Sequence, residues 1–582
     1  MNLKSTAARA ETVHHAKILW SAQKRALVYG LVAVGVFQCG LGLYAVALNQ
    51  MFYAKFGPFY DSVSYLNNLA DLQFRARQTG NFSAFLDASF RSTVAYPWLV
   101  FAPFATIAGA ARSNGVWIQI GAAAIMQLLL FFYFFRVRLL PFVQAIAFSM
   151  AFCLITAVFH FNGGISDFRM DLLQYLLLAT VMASYLIARE SGSVAWWLLL
   201  GFFAGMACLA RATSPIYIAP IFAILATADL ASNLSSWRRI LVCWTITGFA
   251  AAVVAGWYFI GHFEYLHYYY FVWNSDANAG LPLAVSSRHI AFLLLNIGAP
   301  MIVALVVTAI VTRLAVFRAN GNTALWRINW RPLIFSAVPA SYLMFSGAGS
   351  NPFVSMAGCA GIIMFLLDPL EGARPRFTGF QSNMIIGILA LAGAYNAASA
   401  LPNHTRDDLV SAVIPRRAGI DQIIHLMVDN VRADGTRRVH TYAVAHVGWL
   451  SAGASMLENC LIYDHAFERL AKGTLARGAV HLQQAAHSTS FATEVEWSTI
   501  PGRTDDERVA FVVSQWADQV DFLMVATEDS HLPGHVVSTR LLPKIRAEIH
   551  AAGHWRQQGE PIKLSSGERV LFLMNEKRRS AR

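Results

Sequence analysis

Long apolar runs, broken at intervals by one or two charges, dominate the first two thirds of the chain. No charged residue occurs between Arg25 and Lys55, Arg112 and Arg136, Arg138 and Asp167, Asp171 and Arg189, Glu190 and Arg211, or Arg211 and Asp229. The same holds between Arg239 and Glu264, Arg288 and Arg313, Arg331 and Asp368, and Arg376 and Arg406. A bilayer core of about 30 Å is crossed by roughly 20 apolar residues in a helix. Each gap therefore predicts one span. Arg331–Asp368 is long enough for two, with a break at Gly347–Pro352 (GAGSNP), so the pattern predicts eleven transmembrane helices. Past Pro402 the pattern changes. Gly419–Val431 and Arg540–Ala552 have helical spacing, Val439–Ala445 and Asp521–Thr527 have strand composition, and Lys563–Asn575 reads as a hairpin around Ser-Ser-Gly.

One further run, Ser92–Ala111, is apolar but holds Pro97 and Pro103. Counting it as a twelfth span would reverse every later loop, and the bias of Lys and Arg toward cytoplasmic loops decides the matter. Eleven spans place 16 basic residues inside and eight outside up to residue 401, whereas twelve place nine inside and 15 outside. The expected arrangement is thus a cytoplasmic N-terminal arm (1–25), a transmembrane unit (26–401) and an extracytoplasmic α/β domain (402–582). The first outer loop, 50–112, then carries interfacial helices, with Ser92–Ala111 read as an interfacial or re-entrant helix on the outer side. The polar start is too long for a signal-peptide n-region and no small-residue cleavage site follows, so the first span is expected to be an uncleaved anchor.

Composition agrees with this partition. Of 582 residues, 56% are hydrophobic and only 13% charged, about half the charged fraction of a soluble domain. A cytosolic enzyme, a disordered chain and a nucleic-acid-binding protein fit poorly. The formal net charge of +12 does not signal a polyanionic partner, because residues 402–582 hold 21 basic and 21 acidic side chains. The whole excess, 24 basic against 12 acidic, lies in residues 1–401 and marks membrane topology. Five of the six cysteines, Cys39, Cys153, Cys208, Cys243 and Cys359, fall within spans, and Cys460 stands alone in the outer domain. Neither a structural disulfide nor a zinc pattern is expected there.

With the spans placed, the informative residues are charges at the outer membrane edge. The first outer loop opens with FYAKFGPFYDSVSYL, where Asp61 sits among Phe59, Tyr60 and Tyr65; an Asp here is also a common helix N-cap. FHFNGGISDFRMD (159–171) joins two apolar runs through Gly163-Gly164 and brings Asp167, Arg169 and Asp171 to the head of the next span. The four-residue spacing of Asp167 and Asp171 predicts one shared helix face. A helix start rich in acids, with Arg169 snorkelling, accounts for the same residues. In GFFAGMACLARATSPIY (201–217), Arg211 interrupts the apolar sequence at an outer hairpin, either as a snorkelling flank or as a ligand for an anion. The aromatic loop 261–289 adds His262, Glu264 and His267 as possible substrate contacts, or forms an interfacial belt.

In order and spacing over about residues 26–230, these segments resemble the GT-C glycosyltransferases of the protein O-mannosyltransferase and lipid A aminoarabinose transferase type (glycosyltransferase family 39-like). YDSVSYL stands for the acidic first loop, VAYPWLVFAPF for the short Pro-containing helix, GGISDFRMD for the second acidic loop, and GFFAGMACLARATSPIY for the Gly-rich helix and its corner. Two features depart from the pattern. Ser62 follows Asp61 where many relatives have paired acids, and SGAGSNPF occupies the approximate place of a later Lys-x-x-Arg-Tyr-like segment.

The resemblance implies a GT-C-like polytopic helical fold, N-terminus in and C-terminus out. It implies inverting transfer of a sugar from a polyprenyl-phosphate donor to a lipid, glycan or protein acceptor of the envelope. The expected place is the periplasmic face of a bacterial inner membrane. Asp61 is then the catalytic base. Arg211, Arg169, Asp167 and Asp171 bind the donor phosphate or sugar. Tyr65, His262, Glu264 and His267 belong to a substrate loop. The resemblance demands no particular cofactor; a divalent metal is possible but, with a single Asp61, not favoured. The alternative class is a polytopic transporter or lipid flippase, which would place broken helices and charges near the midplane.

Overall fold

The computed structural model describes residues 3–55, 112–167, 169–211, 213–232, 234–268, 283–320, 327–346, 352–372, 375, 377–405, 417–434, 440–445, 482–484, 494–527, 536–564 and 569–580. Twelve helices of this set build the apolar unit. They are α1 Leu3–Lys55, α2 Arg112–Phe132, α3 Phe142–Ala151, α4 Met170–Ser191, α5 Val194–Ala210 and α6 Ser214–Ser232. They continue as α7 Trp237–Gly261, α8 Leu283–Ile297, α9 Ala299–Asn320, α10 Arg331–Ser346, α11 Cys359–Leu367 and α12 Gly379–Thr405.

Seven helical stretches among the described residues are long and apolar enough to cross a membrane: Arg25–Phe52, Gly115–Val137, Met170–Ser191, Ser214–Ser232, Leu234–Gly261, Ala299–Arg318 and Gly379–Thr405. The other runs hold shorter pieces. Arg138–Asp167 carries α3, a turn and the single helical turn Thr156–Phe159; α5 fills Glu190–Arg211; Arg331–Asp368 carries α10 and then α11 behind a 3-10 stretch, Pro352–Gly358. The expected break at Gly347–Pro352 falls almost wholly outside the described residues.

Burial separates the helices into central and peripheral. α4 is buried without interruption from Met170 to Ala188. A helix apolar all round needs neighbours all round. α7 is the opposite case, with Leu241, Val242, Phe249, Val253 and Ile260 all exposed. Side chains of this size, contiguous along a helix whose backbone is internally satisfied, belong in hydrocarbon. The chain is an integral membrane protein.

Packing between α5 and α7 depends on missing side chains. Gly201 and Gly205 lie four apart on one face of α5, where a Cβ would run into the Thr247 carbonyl and the Val254 side chain. Small residues at this spacing let two backbones approach in a bilayer, where no hydrophobic effect drives helices together. Thr247 Oγ1 uses the proximity to donate to the Trp197 carbonyl at 3.0 Å.

From Arg417 the chain forms an α/β unit with its own core around Trp497, Trp516 and Tyr442. Strands β1 His440–Ala445, β2 Leu482–Gln484, β3 Phe522–Ala526, β4 Trp555–Gln557, β5 Ile562–Lys563 and β6 Arg569–Asn575 form one mixed sheet. Its order is β2-β1-β3-β6-β4, with β5 also on β6. β1 runs parallel to β2 and β3, and β6 is antiparallel to β3, β4 and β5. The antiparallel pairing of β5 with β6 sets Lys563 opposite Arg569. All five β3 positions are buried, as a strand covered on both faces requires. α13 Arg417–Asp434, α14 Asp505–Gln519 and α15 Val536–Ala552 pack with the sheet. α14 starts from a capping box, Thr504 with Glu507.

Candidate active site

The segment between Phe159 and α4 makes a tight, buried turn. Gly163 takes a φ of 81°, and a Cβ on Gly164 would collide with the His160 and Val158 main chain. Only glycine fits both places, so HFNGGISD turns back on itself before α4 begins. The Asp167 carboxylate closes the turn by accepting the Gly163 N–H at 2.8 Å, and Ile165 N–H reaches the Val158 carbonyl at 2.7 Å.

Asp167 and Asp171 do not share a helix face, contrary to the spacing argument. α4 starts at Met170, with Arg169 extended as its N-cap at φ −124° and ψ 151°. The side-chain bond from Asp167 back to Gly163 competes with helical hydrogen bonding and leaves Asp167 in the turn. Arg169 does not snorkel either. Its side chain is 4% exposed, and it donates through Nη1 to Asn162 Oδ1 at 3.0 Å and through Nε to Asp171 Oδ2 at 3.3 Å.

Asp171 is the hub. One of its oxygens meets Arg169 and the other pairs with Arg211. Arg211 follows the last residue of α5 in extended conformation. Its corner is held from α4 by Gln174, which donates to Thr213 Oγ1 at 3.2 Å and Ser214 Oγ at 2.9 Å. Asp171 and Arg169 are almost fully covered, whereas the Arg211 side chain keeps 21% exposure. A guanidinium carries five N–H donors in a fork suited to an anion's oxygens. Among the described residues Arg211 has one carboxylate partner, Asp171, so donors remain for a second anion.

The four charges expected at the outer edge, Asp167, Arg169, Asp171 and Arg211, thus come together around the head of α4, with Asp171 rather than Asp167 holding the arginines. Asp61 and Tyr65 lie outside the described residues. His262, Glu264 and His267 sit on or beside the short helix Phe263–His267 that follows α7, with Glu264 and His267 exposed and the His262 ring 4.7 Å from that of Tyr258. Sequence reasoning missed the polar side chains that hold the turn before α4, Asn49, Gln119, Asn162 and His404, and Gln174, which holds the Arg211 corner. A signal existed, since Asn49, Gln119, Gln174 and His404 are polar residues inside apolar runs, where each needs a partner.

A second cluster lies at the other end of α4. Arg138 pairs with Asp368 at 2.6 Å, and Tyr133 Oη donates to the other Asp368 oxygen at 2.6 Å. Arg189 and Arg331 share Glu371 at 2.6 and 2.9 Å, and both approach Asp229 at 3.4 and 3.5 Å. Three of the 16 basic residues counted inside, Arg138, Arg189 and Arg331, are therefore ion-pair partners.

Among solved structures, the chain is similar to ArnT from Cupriavidus metallidurans bound to undecaprenyl phosphate, with a TM-score of 0.53 and 11% identity over 92% of this chain and 97% of that one. The chain has a GT-C-like fold. The apo state of the same ArnT (TM-score 0.49, 10% identity, 92% and 97% covered) also matches. So does the archaeal oligosaccharyltransferase AglB from Archaeoglobus fulgidus, in complex with an inhibitory peptide and a dolichol-phosphate (TM-score 0.47, 11% identity, 90% and 72% covered). No family model matches the chain, and no curated protein sequence does. At such identity the GT-C-like likeness describes the path of the backbone; the chemistry has to be argued from the side chains.

Proposed function

We propose that this protein is an integral-membrane inverting glycosyltransferase that moves a sugar from a polyprenyl-phosphate donor to an envelope acceptor at the periplasmic face. The acceptor is a lipid, a glycan or a protein. The observation that carries the reading is Arg211, tethered by Asp171 yet still partly open at the mouth of a buried charge cluster, in a fold shared with ArnT bound to undecaprenyl phosphate.

In a sugar phosphodiester the phosphate carries one negative charge. As the bond from the anomeric carbon to the phosphate oxygen breaks, its electron pair stays with the phosphate, which gains a second charge. A guanidinium fixed beside it therefore stabilises the transition state more than the bound donor, which is the condition for acceleration. Asp171 keeps both Arg169 and Arg211 oriented, so little reorganisation is needed when charge develops. The acceptor hydroxyl attacks the anomeric carbon from the face opposite the phosphate, inverting it, and gives its proton to Asp61 as general base. Asp167, through its bond to Gly163, holds the turn in place.

The test is turnover of a polyprenyl-phosphate sugar by purified protein, with undecaprenyl phosphate binding measured in parallel. Asp61→Asn is expected to lower turnover at least about a hundredfold while binding is kept. Full turnover in both Asp61→Asn and Arg211→Ala would overturn the mechanism. Movement of an intact lipid or sugar across a vesicle, with no bond broken, would favour a transporter instead.

A further inference from the structure

Ser166, Asp167 and Arg169, which carry two of the site's charges, lie in neither helix nor strand. Three helices distant in sequence hold them. Asn49 of α1 donates to the Ser166 carbonyl at 2.7 Å. Gln119 of α2 donates to the carbonyls of Asp167 and Arg169 at 2.9 and 3.3 Å. The third contact is through a side chain: Ser166 Oγ lies 2.8 Å from Nε2 of His404, in the last turn of α12.

The direction of that bond follows from the other ring nitrogen. His404 Nδ1 is 2.8 Å from the Ala400 carbonyl, which can only accept. The imidazole therefore carries its proton on Nδ1, and Nε2 accepts from the Ser166 hydroxyl. Both residues are buried, and the rings of Phe52 and Phe161 stand edge-on to His404 at 6.2 and 6.4 Å. A serine this close to an imidazole also suits a nucleophile and its base. Here the ring is oriented by a main-chain carbonyl rather than a carboxylate, and the phenylalanines close it off. The pair is built to hold, not to react.

Resting on the glycosyltransferase reading, we propose that His404 is a positioning residue. Through Ser166 it fixes the segment that aims Arg169 and, by way of Asp171, Arg211 at the donor phosphate. Thr405, the next residue, ends α12.

A double-mutant cycle on the full-length protein tests this, with undecaprenyl phosphate in detergent as the binding probe and donor KM and kcat measured alongside. Ser166→Ala and His404→Ala are each expected to weaken binding about fivefold, the worth of one buried hydrogen bond, and to raise donor KM more than they lower kcat. The double variant should be no worse than the worse single. His404→Gln should restore binding, because its Oε1 can accept from the same hydroxyl. Wild-type binding in Ser166→Ala, or additive losses in the double variant, would overturn the proposal. If His404→Ala fails to fold, Ser166→Ala, which removes one oxygen, still decides. Arg211→Ala separates the two levels: if it alone loses binding, only the His404 proposal falls, and if it too behaves as wild type, the glycosyltransferase reading falls with it.

Discussion

At its N-terminal end α4 places Asp171 between Arg169 and Arg211; at its C-terminal end, 18 residues on and about 27 Å away by helix rise, Arg189 joins Arg331 around Asp229 and Glu371, beside the Arg138–Asp368 pair. Among the described residues, one end joins two arginines to Asp171, and the other joins Arg138, Arg189 and Arg331 to Asp229, Asp368, Glu371 and Glu190. They differ in saturation. Asp368 takes Arg138, Tyr133 and Asn329. Glu371 takes two arginines, and Asp229 takes the same two with the Tyr185 hydroxyl in addition. Among the described residues, Arg211 by contrast has one carboxylate partner, Asp171. A saturated cluster ties helix ends together. Under the proposed function, the unsaturated one, at a partly exposed arginine, is where the donor's anion would bind.

The largest expected effect is at the unsaturated end. Arg211→Ala should lower transfer at least about a hundredfold, the scale of losing one charge-stabilising group, with abundance and thermal stability close to wild type. A loss of stability as large as the loss of activity would erase the distinction between the clusters. Next comes Asp368→Ala, which strands Arg138 in a buried site and should destabilise the protein by about 3–5 kcal/mol. Thermal unfolding in detergent reads this directly; an unchanged midpoint would mean the saturated cluster is not structural. The smallest effect belongs to Glu371→Gln. Glu371 is a third exposed and Arg331 keeps Asp229, so the expected cost is about 1 kcal/mol, again by thermal unfolding, with transfer unaffected. Reduced donor binding in that variant would show that the two ends of α4 are coupled.

Much of the cluster at the head of α4 was legible beforehand because charges are rare in apolar runs, and rarity alone drew attention to Asp167, Arg169, Asp171 and Arg211. The division of labour among them was not. Helical spacing put Asp167 and Asp171 on one face, but the Gly163-Gly164 turn lets the Asp167 carboxylate cap Gly163 and delays the helix to Met170. Asn49, Gln119 and His404 were equally visible as polar residues within spans, yet their common target, Ser166–Arg169, is separated from them by up to 238 positions.

The sequence by itself determined that this is a polytopic helical protein with an α/β unit past its last apolar run, since a bilayer requires every helix to satisfy its own backbone and to be apolar along its own length. Both conditions are local, so they are readable one run at a time. Tertiary structure alone decided which charges pair. Arg138, Arg189 and Arg331 look like topology markers in one dimension, and their acids, Asp229, Asp368 and Glu371, look incidental. Only the packing of α2, α4, α6, α10 and α11 brings them within reach, because the attraction that pairs buried charges depends on distance and on the exclusion of water, neither of which is written at any single position.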